Sequence, residues 1–114
     1  MEKELTREAD ALFCLIYKHY LQRRKEGVPK GDAKMLGGSH DIHEKIISKW
    51  VHSDVDETCR ELDRAGYLNC RYYDDEVGNA VIMDRGIIFM ETRFKNGLDE
   101  VLKYLESIKK IILF

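Results

Sequence analysis

Two β-rich runs that follow directly on two short, closely spaced helical patterns leave this chain few topologies. Residues 68–73 and 80–83 are rich in β-formers, and between them Asp74-Asp75-Glu76-Val77-Gly78-Asn79 is a polar connection with Gly and Asn suited to positive φ, the pattern of a β-hairpin. The helix before it has Ser53 as its expected N-cap and Val55, Cys59 and Leu62 at i, i+4 and i+7. Gly66 is its expected C′ residue, and Tyr67 and Leu68 carry the chain into the first strand. One helix earlier, Asp41 and Glu44 have the spacing of a capping box. Ile42, Ile46 and Ile47 then form a narrow apolar face that closes in Trp50 and Val51.

The flanks are helical. A first helix is expected over residues 6–26, with Thr6 as N-cap and Glu8 and Asp10 near the positive end of the dipole. Its apolar stripe is Ala9, Leu12, Phe13, Ile16, Tyr17, Tyr20 and Leu21; Gly27 ends it and Pro29 prevents its resumption. Residues 30–38 signal little beyond a short helical turn capped by Asp32 and stopped by Gly37-Gly38. Beyond the hairpin, residues 84–112 form C-terminal helices. Asp84 caps the first, with Ile87, Ile88, Met90 and Phe94 as apolar positions, and Asn96-Gly97 breaks it. The last carries Leu98, Val101, Leu102, Leu105, Ile108 and Ile112 on one face. With one proline and no low-complexity linker, 114 residues fit a single domain over residues 1–114. The order implies an α+β, mainly α fold: a winged helix-turn-helix, its helix pair over residues 41–66 and its two-stranded wing over residues 68–83.

On three stretches, residues 12–21, 55–68 and 83–91, the chain resembles the small winged-helix proteins of Gram-positive bacteria and their phages, including the YjcQ-like group. Asp84-Arg85-Gly86-Ile87 followed by Met90-Glu91 is similar to the Thr-Asp-Lys-Gly helix start common after the wing, with Met83 and Arg85 replacing that group's Thr and Lys. The resemblance implies the winged fold. It does not imply a function, because members of one fold do many things.

Charge placement bears on the partner. The formal net charge is −2, whereas a dedicated nucleic-acid binder is usually basic throughout. The helix expected to enter a DNA groove carries Asp54, Asp56, Glu57, Glu61 and Asp63 against Arg60 and Arg64, and the hairpin sets Arg71 against Asp74, Asp75 and Glu76. The basic residues gather at the end of the first helix and the next loop: Lys18, Arg23, Arg24, Lys25, Lys30 and Lys34, beside His19. They either contact phosphates or simply offset the helix dipole. Two functions from different classes follow. In one, a transcriptional regulator contacts phosphates through Arg23, Arg24, Lys25, Lys30 and Lys34, and a groove through Arg60, Arg64 and Arg71. In the other, a protein-interaction module offers its acidic third helix to a basic partner, without reading DNA.

Other chemistry is thinly represented. His40-Asp41-Ile42-His43-Glu44, with His52 nearby, contains metal-ligand residue types, but His40 precedes the expected cap, capping engages Asp41 and Glu44, and no cysteine pair completes a set. No metal site and no cofactor are therefore expected. Without a Gly-rich phosphate loop or a Gly-x-Ser-x-Gly elbow, no catalytic residue is expected either. Cys14, Cys59 and Cys70 fall on expected buried faces and read as reduced core thiols of a cytoplasmic protein. No 18-residue apolar run suggests a membrane span. The stripe Leu98, Val101, Leu102, Leu105, Ile108 and Ile112 either pairs with its twin in a homodimer, the favoured expectation, or folds back on the first helix.

Overall fold

A computed structural model describes residues 5–113. Helix α1, Arg7–Lys25, begins at Thr6, whose Oγ1 accepts the Ala9 N–H at 3.2 Å, as its sequence position implies. Ala11, Cys14 and Leu15 are buried along with the expected stripe, of which Leu21 alone is only half-buried, so α1 is wrapped by its neighbours and forms the centre of the core. Gly27, at φ +92°, ends it.

The segment with the weakest signal holds a single turn, α2 (Lys30–Ala33), and a strand, β1 (Met35–Gly37), that the sequence did not reveal. Met35 pairs with Val81 and Gly37 with Ala80, and the Lys34 carbonyl accepts the Ile82 N–H at 2.9 Å. Three residues of strand have too little periodicity of their own; the partner strand defines them.

Helix α3, Ser39–Lys45, starts two residues before its expected cap. Gly38 occupies the N-cap position, and Asp41, inside the helix, accepts the Gly38 N–H at 3.0 Å instead of pairing with Glu44. Helix α4, His52–Arg64, likewise starts earlier than expected, with Val51 rather than Ser53 at its N-cap. Its buried face is the expected one: Val55, Cys59 and Leu62 are fully inaccessible. At its end the Gly66 N–H donates to the Asp63 carbonyl and the Tyr67 N–H to that of Leu62, a Schellman closure with Gly66 at φ +85°.

Strands β2 (Leu68–Tyr73) and β3 (Glu76–Ile82) pair antiparallel, and the sheet order is β1-β3-β2. The connection is shorter than residues 74–79. Asp74 and Asp75, at φ 50° and 62°, make the turn, and Glu76 already pairs with Tyr73. Gly78 is therefore a strand residue, needed because a Cβ there would lie 2.0 Å from the Tyr73 ring. Leu68, Cys70, Val77, Ala80 and Ile82 face the core.

Met83 rather than Asp84 is the N-cap of α5, Asp84–Arg93, and Ile88, expected as an apolar core position, is 61% exposed. Gly86 lies against Phe13 and the Tyr67 backbone. The last expected helix is two, α6 (Leu98–Ser107) and α7 (Lys109–Ile112), separated at Ile108 by φ −111° and ψ 16°. Asp10 ties α5 and α6 to the central α1: it accepts from the Arg93 guanidinium on α5 and from the Tyr104 hydroxyl on α6 at 2.6 Å. Among the described residues, no helix is long and apolar enough to cross a membrane.

Candidate functional site

Helix α4 and the hairpin meet through side chains the sequence counted only as charges. Asp56 is buried; one carboxylate oxygen accepts Arg60 Nε at 2.7 Å, and the other accepts the Ser39 hydroxyl and the Val77 N–H, each at 2.8 Å. Burial opposes the charge, but the Val77, Arg60 and Ser39 hydrogen bonds outweigh it and hold the carboxyl below its ordinary range. Glu61 accepts the backbone N–H and the hydroxyl of Thr6 at 2.9 and 2.8 Å, fastening the start of α1 to α4. Asp63 accepts the Tyr72 hydroxyl at 2.6 Å and the Cys70 N–H at 3.4 Å. Three of the five acids on this helix thus hold the fold together. The outward-facing remainder is Asp54 and Glu57, with Arg64, whose Nη2 lies 3.9 Å from Glu57.

The expected cations divide. Arg60 lies over the Tyr72 ring and donates to the Asp75 carbonyl at 2.8 Å, which joins α4 to the turn of the hairpin. Arg71, opposite Asn79, stands exposed on the outer sheet face with Tyr73. Lys30 and Lys34 come to the start of α5: Lys34 pairs with Asp84 at 2.8 Å, and both lysines lower the Asp84 carboxyl. Arg85, a cation the sequence reading passed over, packs so near Gly66 that an added Cβ would sit 3.4 Å from its Nη1. Lys30 and Lys34 therefore lie by the first residue of α5, and Arg85, the next residue, by Gly66, two residues beyond Arg64. Arg23 donates to the Met35 carbonyl at the sheet edge, and Arg24 to that of Val28. Arg23 and Lys25 also border a shallow groove with His19 and Leu98, so this part of the expected patch turns towards α6. Burial followed by the neighbouring Arg23 charge depresses the His19 pKa.

A second groove, of about 700 Å³, opens between the start of α1, α4 and α7. Glu8, Asp54, Glu57 and Glu61 outnumber Arg7 and Lys110 along it, and Trp50 also lines it, its indole N–H donating to the Ile111 carbonyl at 3.3 Å.

The histidines form a cluster. His40 and His52 stack with centroids 3.7 Å apart and planes 8° from parallel, and His40 Nε2 is 3.1 Å from Glu76 Oε2 on β3. His52 Nε2 contacts the Ser39 hydroxyl at 2.9 Å. One donor atom each from His40, His52 and Glu76 lies within 4.8 Å of the others. His43 is turned aside, donating Nε2–H to the Trp50 carbonyl at 2.6 Å. Asp41 and Glu44 take no part, and Glu76 was invisible to a search along the sequence because it lies 36 residues from His40.

Of the expected dimer seam, Val101 and Leu105 are buried in the monomer, and Leu98, Ile108 and Ile112 are half-buried. Leu102, 43% exposed, is its most open member. The three cysteines are free and buried, and burial pushes the thiols of Cys14 and Cys70 up to about 12. No family model, curated protein or solved structure matches the chain.

Proposed function

We propose that this chain is a winged-helix regulator that binds duplex DNA, with α4 towards the major groove and the β2–β3 hairpin as its wing. The order α1, β1, α3, α4, β2, β3 with a β1-β3-β2 sheet supports the winged reading. The observation that carries the DNA reading is that Asp56, Glu61 and Asp63 are each committed to a partner within the fold, which leaves Asp54 and Glu57 as the outward carboxylates of α4. Arg64 and Arg85 at one end of α4, Lys30 and Lys34 by the start of α5, and Arg71 on the wing supply phosphate contacts around it. A salt titration on random duplex DNA tests this. Affinity falling steeply with salt supports it, and no binding at low salt overturns it.

The groove lined by Glu8, Asp54 and Glu57 favours a second reading, a protein-interaction module that takes a basic partner segment there. Glu57→Lys strengthens DNA binding under the first reading and destroys partner capture under the second. Because Val101 and Leu105 already pack on α1, a homodimer forms only along the open edge of α6 around Leu102. Sedimentation showing a monomer at high concentration removes that part of the proposal.

A further inference from the structure

We propose that His40, His52 and Glu76 bind a divalent transition-metal ion of the zinc class where α3, α4 and β3 meet. Two imidazoles and one carboxylate are a zinc donor set that leaves a fourth position for water, and they disfavour the oxygen-seeking calcium and magnesium ions. The contact between His40 Nε2 and Glu76 Oε2, 3.1 Å, is near the edge of roughly 3.3 Å that separates two ligands in a tetrahedral zinc site. One donor atom from each of the three lies within 4.8 Å of the others, against roughly 3.3 Å in a closed site, so closure draws the side chains together.

The groups behind His52 fix its tautomer. The Ser39 hydroxyl has one proton, and it goes to the Asp56 carboxylate, which can only accept. Ser39 Oγ must therefore accept from His52, placing the proton on Nε2 and leaving Nδ1 as the lone-pair atom of the neutral ring. Ligand histidines characteristically donate their second ring nitrogen in this way, and the partner orients the ring. Here that partner is itself anchored, since Asp56 also holds Val77 and Arg60. His52 is the fixed ligand. The parallel stack directs the His40 and His52 lone pairs side by side, so the His40 ring must tilt to converge on an ion. Its side chain, 69% exposed, has room to do so. A bound ion would fasten the start of β3 to both helices of the helix-turn-helix pair.

The experiment is a titration of the chelator-treated full chain with Zn²⁺ by calorimetry, and with Co²⁺ by visible absorbance. The expected result is one ion per chain, with Mg²⁺ and Ca²⁺ silent and with His40→Ala, His52→Ala and Glu76→Gln each weakening Zn²⁺ at least about tenfold. Cobalt should show the intense bands of a four-coordinate site in the parent chain only. His40→Ala changes an exposed side chain, so circular dichroism on it separates ligand loss from unfolding. Absence of zinc binding overturns the proposal, as does a folded His40→Ala variant that binds zinc as tightly as the parent. Neither readout involves DNA, so this site and the DNA reading fail independently.

Discussion

Asp56 and Val77 are joined by a hydrogen bond of 2.8 Å that crosses from the middle of α4 to the inner face of β3. The same carboxylate oxygen receives Ser39, so one side chain sets the position of three elements. Replacing Asp56 with Ala strands a buried hydroxyl and a buried amide, and should cost about 2–4 kcal/mol in urea unfolding. The pH dependence has a definite sign. The folded pKa lies below the unfolded one, so this contribution is complete above about pH 4 and is lost as pH falls through the depressed folded value. Asp56→Asn should flatten that acid limb of the stability profile.

The carboxylates of α4 should separate into two groups under substitution. Glu57→Gln and Asp54→Asn remove outward charge and should tighten non-specific duplex binding roughly threefold each at low salt. Glu61→Gln and Asp63→Asn should instead lower the melting temperature, because Thr6 and Tyr72 lose charged acceptors. Arg64→Ala should reduce the slope of log affinity against log salt by about 0.9, one phosphate contact. Fluorescence anisotropy across a salt series measures the two binding effects, and thermal melting the third.

Gly86 tests the packing beneath α5. A methyl group there would stand 2.7 Å from Phe13 Cζ and 2.8 Å from the Tyr67 carbonyl oxygen. Phe13 is fully buried and stacks on Tyr67, so neither neighbour yields easily. Gly86→Ala should destabilise the domain by about 1–3 kcal/mol, although alanine is the better helix former. Equilibrium denaturation gives the value.

The hairpin turn offers a gain. Asp75 holds φ 62°, and its carbonyl is the hydrogen-bond acceptor for Arg60, which its carboxylate attracts only through space. Asp75→Gly keeps that contact and relieves the left-handed strain, so it should stabilise by about 0.5–1 kcal/mol in thermal unfolding.

Zinc at a hundredfold excess over its dissociation constant should stabilise the chain by about 2.7 kcal/mol. A thermal melt should rise by roughly 10 °C and return on adding chelator. His40→Ala, binding at least about tenfold more weakly, should show at most about half that rise at the same zinc concentration.

What could be read along the chain was whatever is encoded within a few neighbouring residues. Thr6 capping its own helix, Gly66 closing α4 and the apolar spacing of Val55, Cys59 and Leu62 need no distant partner. Strand β1 does: its hydrogen bonds come from β3, more than forty residues later. The site was obscured for the same reason. Glu61 looked like surface charge until Thr6, 55 residues away, was set against it, and Glu76 looked like part of a turn until His40 was. The break at Ile108 interrupts an apolar pattern that continues unbroken in the sequence, so periodicity predicted one helix there instead of two.

Trp50 is the only tryptophan in the chain, 6% exposed, with its indole bonded to the α7 backbone and its own carbonyl bonded to His43. Its emission therefore reports on a single location. Detachment of the tail should redden the spectrum by admitting water to the ring, well before the domain as a whole unfolds. A peptide entering the acidic groove should alter the same signal, giving the protein an intrinsic optical gauge with no added label.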